Sequence, residues 1–181
     1  MSETTFDVTD DTFAAEVIDR SATEPVVVDF WADWCGPCKQ LGPILEEETA
    51  ERGVSLVKVD VDANQRVALE YDVRGIPAVK AFRNGHVVAE FVGARPRQSV
   101  EEWLDELTKP PLADTLEDEE LAPLLQAGDY EGAFKLLLER IDSRPEERDR
   151  TRELMVQVFG ELGHEHPLTV QYRRRLATAL Y

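Results

Sequence analysis

The run Val26-Val27-Val28-Asp29-Phe30-Trp31-Ala32-Asp33-Trp34-Cys35-Gly36-Pro37-Cys38 decides the fold. Its first six residues are apolar, β-branched or aromatic apart from one aspartate, the composition of a buried strand. Lys39-Gln40-Leu41 and Ile44-Leu45-Glu46-Glu47 follow, with apolar residues at helical spacing. The only two cysteines in 181 residues therefore stand where a strand ends and a helix begins. Amide N–H groups in the first turn of a helix have no intrahelical partner, and that end of the dipole is positive. A thiolate there is stabilised, which makes Cys35 a nucleophile toward disulfides. Cys38, one turn on, lies on the same helical face and can attack the resulting mixed disulfide. Gly36 and Pro37 keep the intervening turn tight.

Around that centre the chain is acidic. Its formal net charge is −17; residues 1–109 hold 11 basic and 22 acidic side chains, and residues 110–181 hold 9 and 15. Two acidic halves argue against nucleic acid or an anionic membrane face as partner. No apolar run approaches the ~18–20 residues that span a bilayer. Met1-Ser2-Glu3-Thr4-Thr5 has neither the basic nor the apolar region of a secretory leader. The expectation is a soluble, cytoplasmic protein. In a reducing compartment a C-x-x-C pair argues for catalysis rather than a structural staple.

Phe6-Asp7-Val8 is a short strand candidate, and Thr9 or Asp10 is expected to cap a helix reaching Arg20, with Phe13, Val17 and Ile18 on its apolar side. Pro25 opens the buried strand, and Pro43 falls inside the helix after the cysteines. Val54–Val61 reads as a second buried strand and Asn64–Tyr71 as a short helix. Ala78–Phe82 and Val87–Val92 flank Asn84-Gly85, a strong hairpin signal. Ser99 is expected to cap a helix bearing Val100, Trp103, Leu104 and Leu107. In outline the order is βαβαββα, an α/β mixed sheet with helices on both faces.

Lys109-Pro110-Pro111 ends that pattern, and residues 110–113 read as a proline-rich linker. From 114 to 181 the periodicity is helical throughout. One helix carries Leu116, Leu121, Leu124 and Leu125 and ends near Gly128. Asp129 caps a second, with Tyr130, Ala133, Phe134, Leu137, Leu138 and Ile141 inward. Ser143-Arg144-Pro145 starts a third, which ends at Gly163. A fourth follows Pro167 with Val170, Tyr172, Leu176, Ala177 and Leu180 as its stripe. Short connections make these two helical hairpins, a small all-α domain.

Asp29-Phe30-Trp31-Ala32, Trp34-Cys35-Gly36-Pro37-Cys38-Lys39 and Gly75-Ile76-Pro77 together resemble thioredoxin, in that family's order, over residues 1–109. The resemblance implies a thioredoxin fold and a protein-disulfide reductase whose catalytic pair is Cys35 and Cys38. It implies no cofactor beyond that redox-active disulfide, and recycling by an NADPH-linked thioredoxin reductase. It implies that Asp29 assists proton transfer to the resolving cysteine, with Lys58 nearby. Ile76-Pro77 would carry a cis peptide bond against the cysteine pair, offering backbone hydrogen bonds to an extended client. Trp34, Gly36, Pro37, Gly75 and Gly93 would complete the substrate-binding surface.

Residue chemistry leaves two alternatives beside these expectations. Asp29 in an apolar strand is costly unless neutral or paired, so its pKa should rise; the bland reading is an edge carboxylate facing solvent. Cys35 and Cys38 could be half of a zinc site, but two further ligands would have to come from His86, His164, His166 or carboxylates. The proline between the cysteines and the flanking tryptophan fit the redox motif better, so no metal is expected.

Gly128-Asp129-Tyr130-Glu131-Gly132-Ala133-Phe134 resembles the second half of a tetratricopeptide (TPR) repeat. Arg152–Gly163 and Tyr172–Ala177 look like the C-terminal module of thioredoxin–TPR fusion co-chaperones, some of them called chaperedoxins. In that family the helical part is usually longer. The resemblance implies a TPR-like interaction domain, client proteins with disulfides or unfolded segments, and a chaperonin as partner. Two other readings of the tail stand beside it: a stabilising or dimerising appendage, and a redox-independent holdase. Arg173-Arg174-Arg175 is either a solvated face or a docking patch.

Overall fold

The computed structural model describes residues 4–180. The chain divides between Lys109 and Pro110 into two compact units.

In the first unit, strands β1 (Thr5–Asp7), β2 (Val26–Trp31), β3 (Ser55–Asp60), β4 (Ala78–Arg83) and β5 (His86–Val92) form one sheet in the order β1-β3-β2-β4-β5. β3 runs parallel to both β1 and β2, while β4 is antiparallel to β2 and β5. β2 is the middle strand, laddered on both edges and covered on both faces. Val26, Val28 and Phe30 pack with Phe13, Val17, Val67 and Phe82 on one side. Val27 packs with Leu41, Leu45, Leu56 and Leu104 on the other. That double burial is why β2 reads as a continuous apolar run instead of alternating.

Helix α1 (Gly36–Arg52) and α3 (Arg97–Leu107) cover the second face; α2 (Gln65–Glu70) and the turns from Ala14 to Ala22 cover the first. Asn84 and Gly85 turn the β4–β5 hairpin with φ of 53° and 77°, the left-handed pair that matches strand twist. The Asn84 N–H donates to the Ser21 carbonyl (2.7 Å) and the Gly85 N–H to Ser21 Oγ (2.9 Å).

Two expected caps are placed elsewhere. Residues 14–19 form a wide π-helical segment and Arg20–Ala22 a 3₁₀ turn, not one α-helix; of the two candidate caps Thr9 stands at the opening turn, its carbonyl accepting from the Thr12 and Phe13 N–H groups. The Asp10 carboxylate is engaged across the fold, accepting from the Val67 N–H (2.9 Å) and the Arg66 N–H (3.3 Å) at the head of α2. Ser99 lies inside α3, not at its cap. Pro96, with φ −64°, starts the turn earlier, and its carbonyl already accepts from the Ser99 N–H.

The second unit holds α4 (Leu112–Thr115), α5 (Leu121–Gln126), α6 (Tyr130–Ser143), α7 (Arg148–Leu162) and α8 (Pro167–Leu180). The extended linker is shorter than expected, because Leu112 already opens α4 and Ala113 belongs to the helical core. The single helix expected through Leu116 and Leu121 is two. Asp118 separates them: its carboxylate accepts from the Glu120 (3.1 Å) and Leu121 (2.9 Å) N–H groups at the head of α5. Asp129 caps α6 as expected, accepting from the Gly132 N–H at 2.9 Å. Phe134 stacks on Tyr172 with ring centroids 4.9 Å apart and meets Phe159 at 5.0 Å. On α8 the inward stripe is Thr169, Tyr172 and Leu176, whereas Val170 and Ala177 face solvent. Of the expected stripe Tyr172 and Leu176 face inward, and Thr169 takes the place of Val170.

Asp118 also binds Arg140, whose side chain is 9% exposed and reaches Glu120 as well. The guanidinium holds the Asp118 carboxyl down to about 2. Asp118→Ala removes a helix cap and half-strips a buried cation, which should cost about 3 kcal/mol. Asp118→Asn retains the capping oxygen and should lose less. Guanidinium chloride unfolding of the full chain reads both; an unchanged midpoint for Asp118→Ala would refute the account.

Candidate active site

Strand β2 ends at Trp31, and Cys35 is the N-cap of α1 with extended backbone (φ −82°, ψ 100°). Pro37 occupies the first turn, where its missing N–H costs nothing and its fixed φ suits the helix. Cys35 and Cys38 are joined by a disulfide, and their Cα atoms are 5.3 Å apart across one turn. Cys35 Sγ accepts from the Cys38 N–H at 3.2 Å. One sulfur thus already takes a free amide at the positive end of α1, the arrangement that favours a thiolate once the disulfide opens. Both cysteines are buried, whereas Gly36 and Pro37 between them are exposed.

The same sheet end gathers the other expected residues. Ala78 pairs with Phe30, so Pro77 stands level with Trp31. The Ile76–Pro77 peptide is cis, and the Pro77 carbonyl accepts from the Gly93 N–H at 2.8 Å. Gly93 has φ +89°, a conformation that favours glycine. Gly75 has no such need: a Cβ there would meet Val92 Cγ1 at 3.9 Å, an ordinary contact. Trp34 is 70% exposed, and its indole N–H donates to Asp62 Oδ2 at 2.8 Å. Val92, 69% exposed, extends this apolar surface beside Gly75.

Asp29 is not an edge carboxylate. It is 1% exposed, and its Oδ1 is buried with no hydrogen-bond partner. Burial pushes its pKa from 3.8 up to about 7, the Lys58 charge opposing and the Glu46 charge assisting. Lys58 lies directly opposite Asp29 in the β2–β3 register. Its ammonium does not bind Asp29. It donates to Glu46 Oε1 at 2.8 Å and lies 5.3 Å from the Trp31 ring centroid.

Glu46, Asp62 and Val92 were missed by the sequence reading. Glu46 sits among four acidic residues of α1, and nothing local singles it out. Among the described residues no cluster of His, Cys, Asp and Glu could hold a metal ion, and no helix is long and apolar enough to cross a membrane.

A disulfide spanning the first turn of a helix, at the end of a mixed sheet whose middle strand carries a buried carboxylate, is the arrangement of a thiol–disulfide oxidoreductase. The thioredoxin family model matches residues 4–106 and a tetratricopeptide repeat model matches residues 112–181. Thioredoxin C-2 of Corynebacterium nephridii is 46% identical over 108 residues, covering 59% of this chain and 98% of that protein. The thioredoxins of Streptomyces clavuligerus and Mycolicibacterium smegmatis are each 45% identical, over 94 and 97 residues. Each of these two alignments covers 51% of this chain, and they span 86% and 85% of the relatives. The chain belongs to the thioredoxin family, with a TPR-like repeat domain following the thioredoxin domain. Its redox centre is the cysteine pair itself.

The raised pKa of Asp29 makes stability pH-dependent with a definite sign. The folded chain binds this proton more tightly than the unfolded chain. Its contribution is therefore intact below about pH 4 and is lost as pH rises toward 7. Above 7 the folded state carries a buried charge at a cost of about 4 kcal/mol. Asp29→Asn should melt several degrees higher than the parent at pH 8 and close to it at pH 4. Parallel melting curves across that range would contradict the burial account.

Proposed function

We propose that this protein is a cytoplasmic protein-disulfide reductase whose TPR-like domain recruits client proteins, making it a redox co-chaperone. The observation that carries the redox half is the Cys35 sulfur at the head of α1, accepting the Cys38 amide. In the reduced protein, Cys35 thiolate attacks a client disulfide, forming a mixed disulfide and expelling one client thiolate. Cys38 then gives its proton to the Asp29 carboxylate and attacks Cys35 Sγ. The Cys35–client bond breaks and the second client thiolate leaves, taking up a proton. Two electrons pass from the cysteine pair to the client; one of the two protons comes from Cys38 by way of Asp29 and the other from solvent, and the Cys35–Cys38 disulfide remains. A thioredoxin reductase, the partner that the resemblance to thioredoxin supplies, returns the electrons.

An extended client would lie along Ile76-Pro77 and Gly93, against the exposed surface of Trp34, Gly36, Pro37, Gly75 and Val92. Apolar, exposed side chains around a reactive disulfide suit unfolded or loosely folded segments. The co-chaperone half rests on the TPR-like domain, since such repeats bind other proteins through stacked helices. A chaperonin is the partner to which this reading hands its clients.

Cys35→Ser should abolish reduction of insulin by the full chain, whereas Cys38→Ser should accumulate mixed disulfides. A Cys38→Ser pull-down from cell extract should yield clients that elute only with reductant; an empty covalent fraction would defeat the reductase reading. Aggregation assays with the Cys35→Ser/Cys38→Ser chain test the other half. Protection of an unfolded client by this cysteine-free form is expected; its absence would leave a thioredoxin with a stabilising or dimerising tail.

A further inference from the structure

A cation and a carboxylate set opposite each other on adjacent strands, in a buried site, ordinarily pair. Here they do not. Asp29 and Lys58 are Cα partners in the β2–β3 ladder, yet the Lys58 ammonium is held by Glu46 at 2.8 Å and Asp29 Oδ1 is left buried and unpartnered. Gly42 of α1 lies beside the same ammonium. A Cβ on Gly42 would stand 4.0 Å from Lys58 Nζ. The Trp31 ring, 5.3 Å from the same ammonium, flanks it.

We propose that Glu46 is a positioning residue for the disulfide exchange: by holding Lys58 against α1, it keeps the lysine from pairing with Asp29 and so keeps Asp29 able to take and return a proton near neutral pH.

The charged and titratable groups around Asp29 are few. Lys58 comes from β3 and Glu46 from α1, and both act on it. Cys38, on the first turn of α1, becomes titratable when the disulfide opens. From β4 the neighbour is Val79, which is apolar and fully buried. On α3, Arg97 is committed to Glu47 and Glu48, and Asp105 to Arg52. The balance at Asp29 is thus set by where one ammonium sits. Paired with Asp29, Lys58 would stabilise the ionised form, and the carboxylate would hold no proton to return at neutral pH. Paired with Glu46, it leaves burial dominant. Glu46 is 43% exposed and Lys58 23%, so the clamp is built at the rim of the site, where Glu46→Gln leaves the core packing intact.

The inference rests on the proton-carrying role proposed for Asp29, and its test separates the two. The Asp29 carboxyl is titrated by carbon-13 NMR in the full oxidised chain, in the parent and in Glu46→Gln, Glu46→Asp, Lys58→Met and the Glu46→Gln/Lys58→Met double variant. Glu46→Gln should lower the Asp29 midpoint by about one pH unit, and Glu46→Asp should restore most of it. In the Lys58→Met background the Glu46→Gln shift should shrink to less than half. A merely structural role for Glu46 would produce no such dependence on Lys58. An unchanged midpoint in Glu46→Gln, or a shift of the same size without Lys58, overturns the inference. The proton-carrying reading is tested apart from it, through the pH profile of disulfide reduction by Asp29→Asn. An unaltered profile would remove that reading while the titrations still decide whether Glu46 positions Lys58.

Discussion

Everything in the redox unit depends on β2 being closed on all four sides. Its backbone is laddered to β3 on one edge and β4 on the other, and its side chains are covered by helices on both faces. A strand so confined has one register and one end point. That end point delivers Trp31, and four residues later Cys35, to the head of α1. The chemistry of the sulfur follows from position: it meets an amide that no helical carbonyl can take. The antiparallel neighbour β4 begins at the same level, which brings Ile76 and Pro77 there without any contact having to be arranged separately.

The buried Asp29 is the exception that the closed strand carries. A carboxylate in that position works against folding whenever it is charged, and a core chosen only for stability would hold an aliphatic residue there. Its place among Val26, Val27, Val28 and Phe30 costs stability whenever it is ionised, and the proton-carrying role proposed for it is what such a cost would serve. Lys58 and Glu46 show how finely such a site is balanced. One ammonium has two carboxylates within reach of its strand and helix neighbours, and its choice between them decides the state of the buried one.

Much of this was legible before the structure. β2, the Asn84-Gly85 hairpin, the Cys35–Cys38 junction and the Asp129 cap all announce themselves through local chemistry: apolar runs, a left-handed dipeptide, a donor-poor proline, a capping carboxylate. The elements that resisted were those whose partners lie far along the chain. Asp10 looks like the cap of its own segment and instead caps α2, some 56 residues on. Asp118 looks like part of an acidic run and is the break between α4 and α5, fixed by Arg140. Glu46 is one of several α1 carboxylates until β3 is laid beside it. On α8, Val170 and Ala177 fit a helical period as well as Thr169 does. Only the stacking of Tyr172 on Phe134 settles which side faces in.

The strand order has a consequence for how the chain is made. β2 leaves the ribosome early and β3 soon after, but the partner for its second edge, β4, is among the last strands translated. Through that interval a strand that is apolar but for Asp29 has an open edge, the condition under which nascent chains pair with one another. The gap closes only when the β4–β5 hairpin emerges, and its tight turn makes that closure a local event once it starts. The sheet of the redox unit can therefore close while the helical unit is still being synthesised. From then on the Cys35–Cys38 pair is available while its own polypeptide is still attached to the translating ribosome.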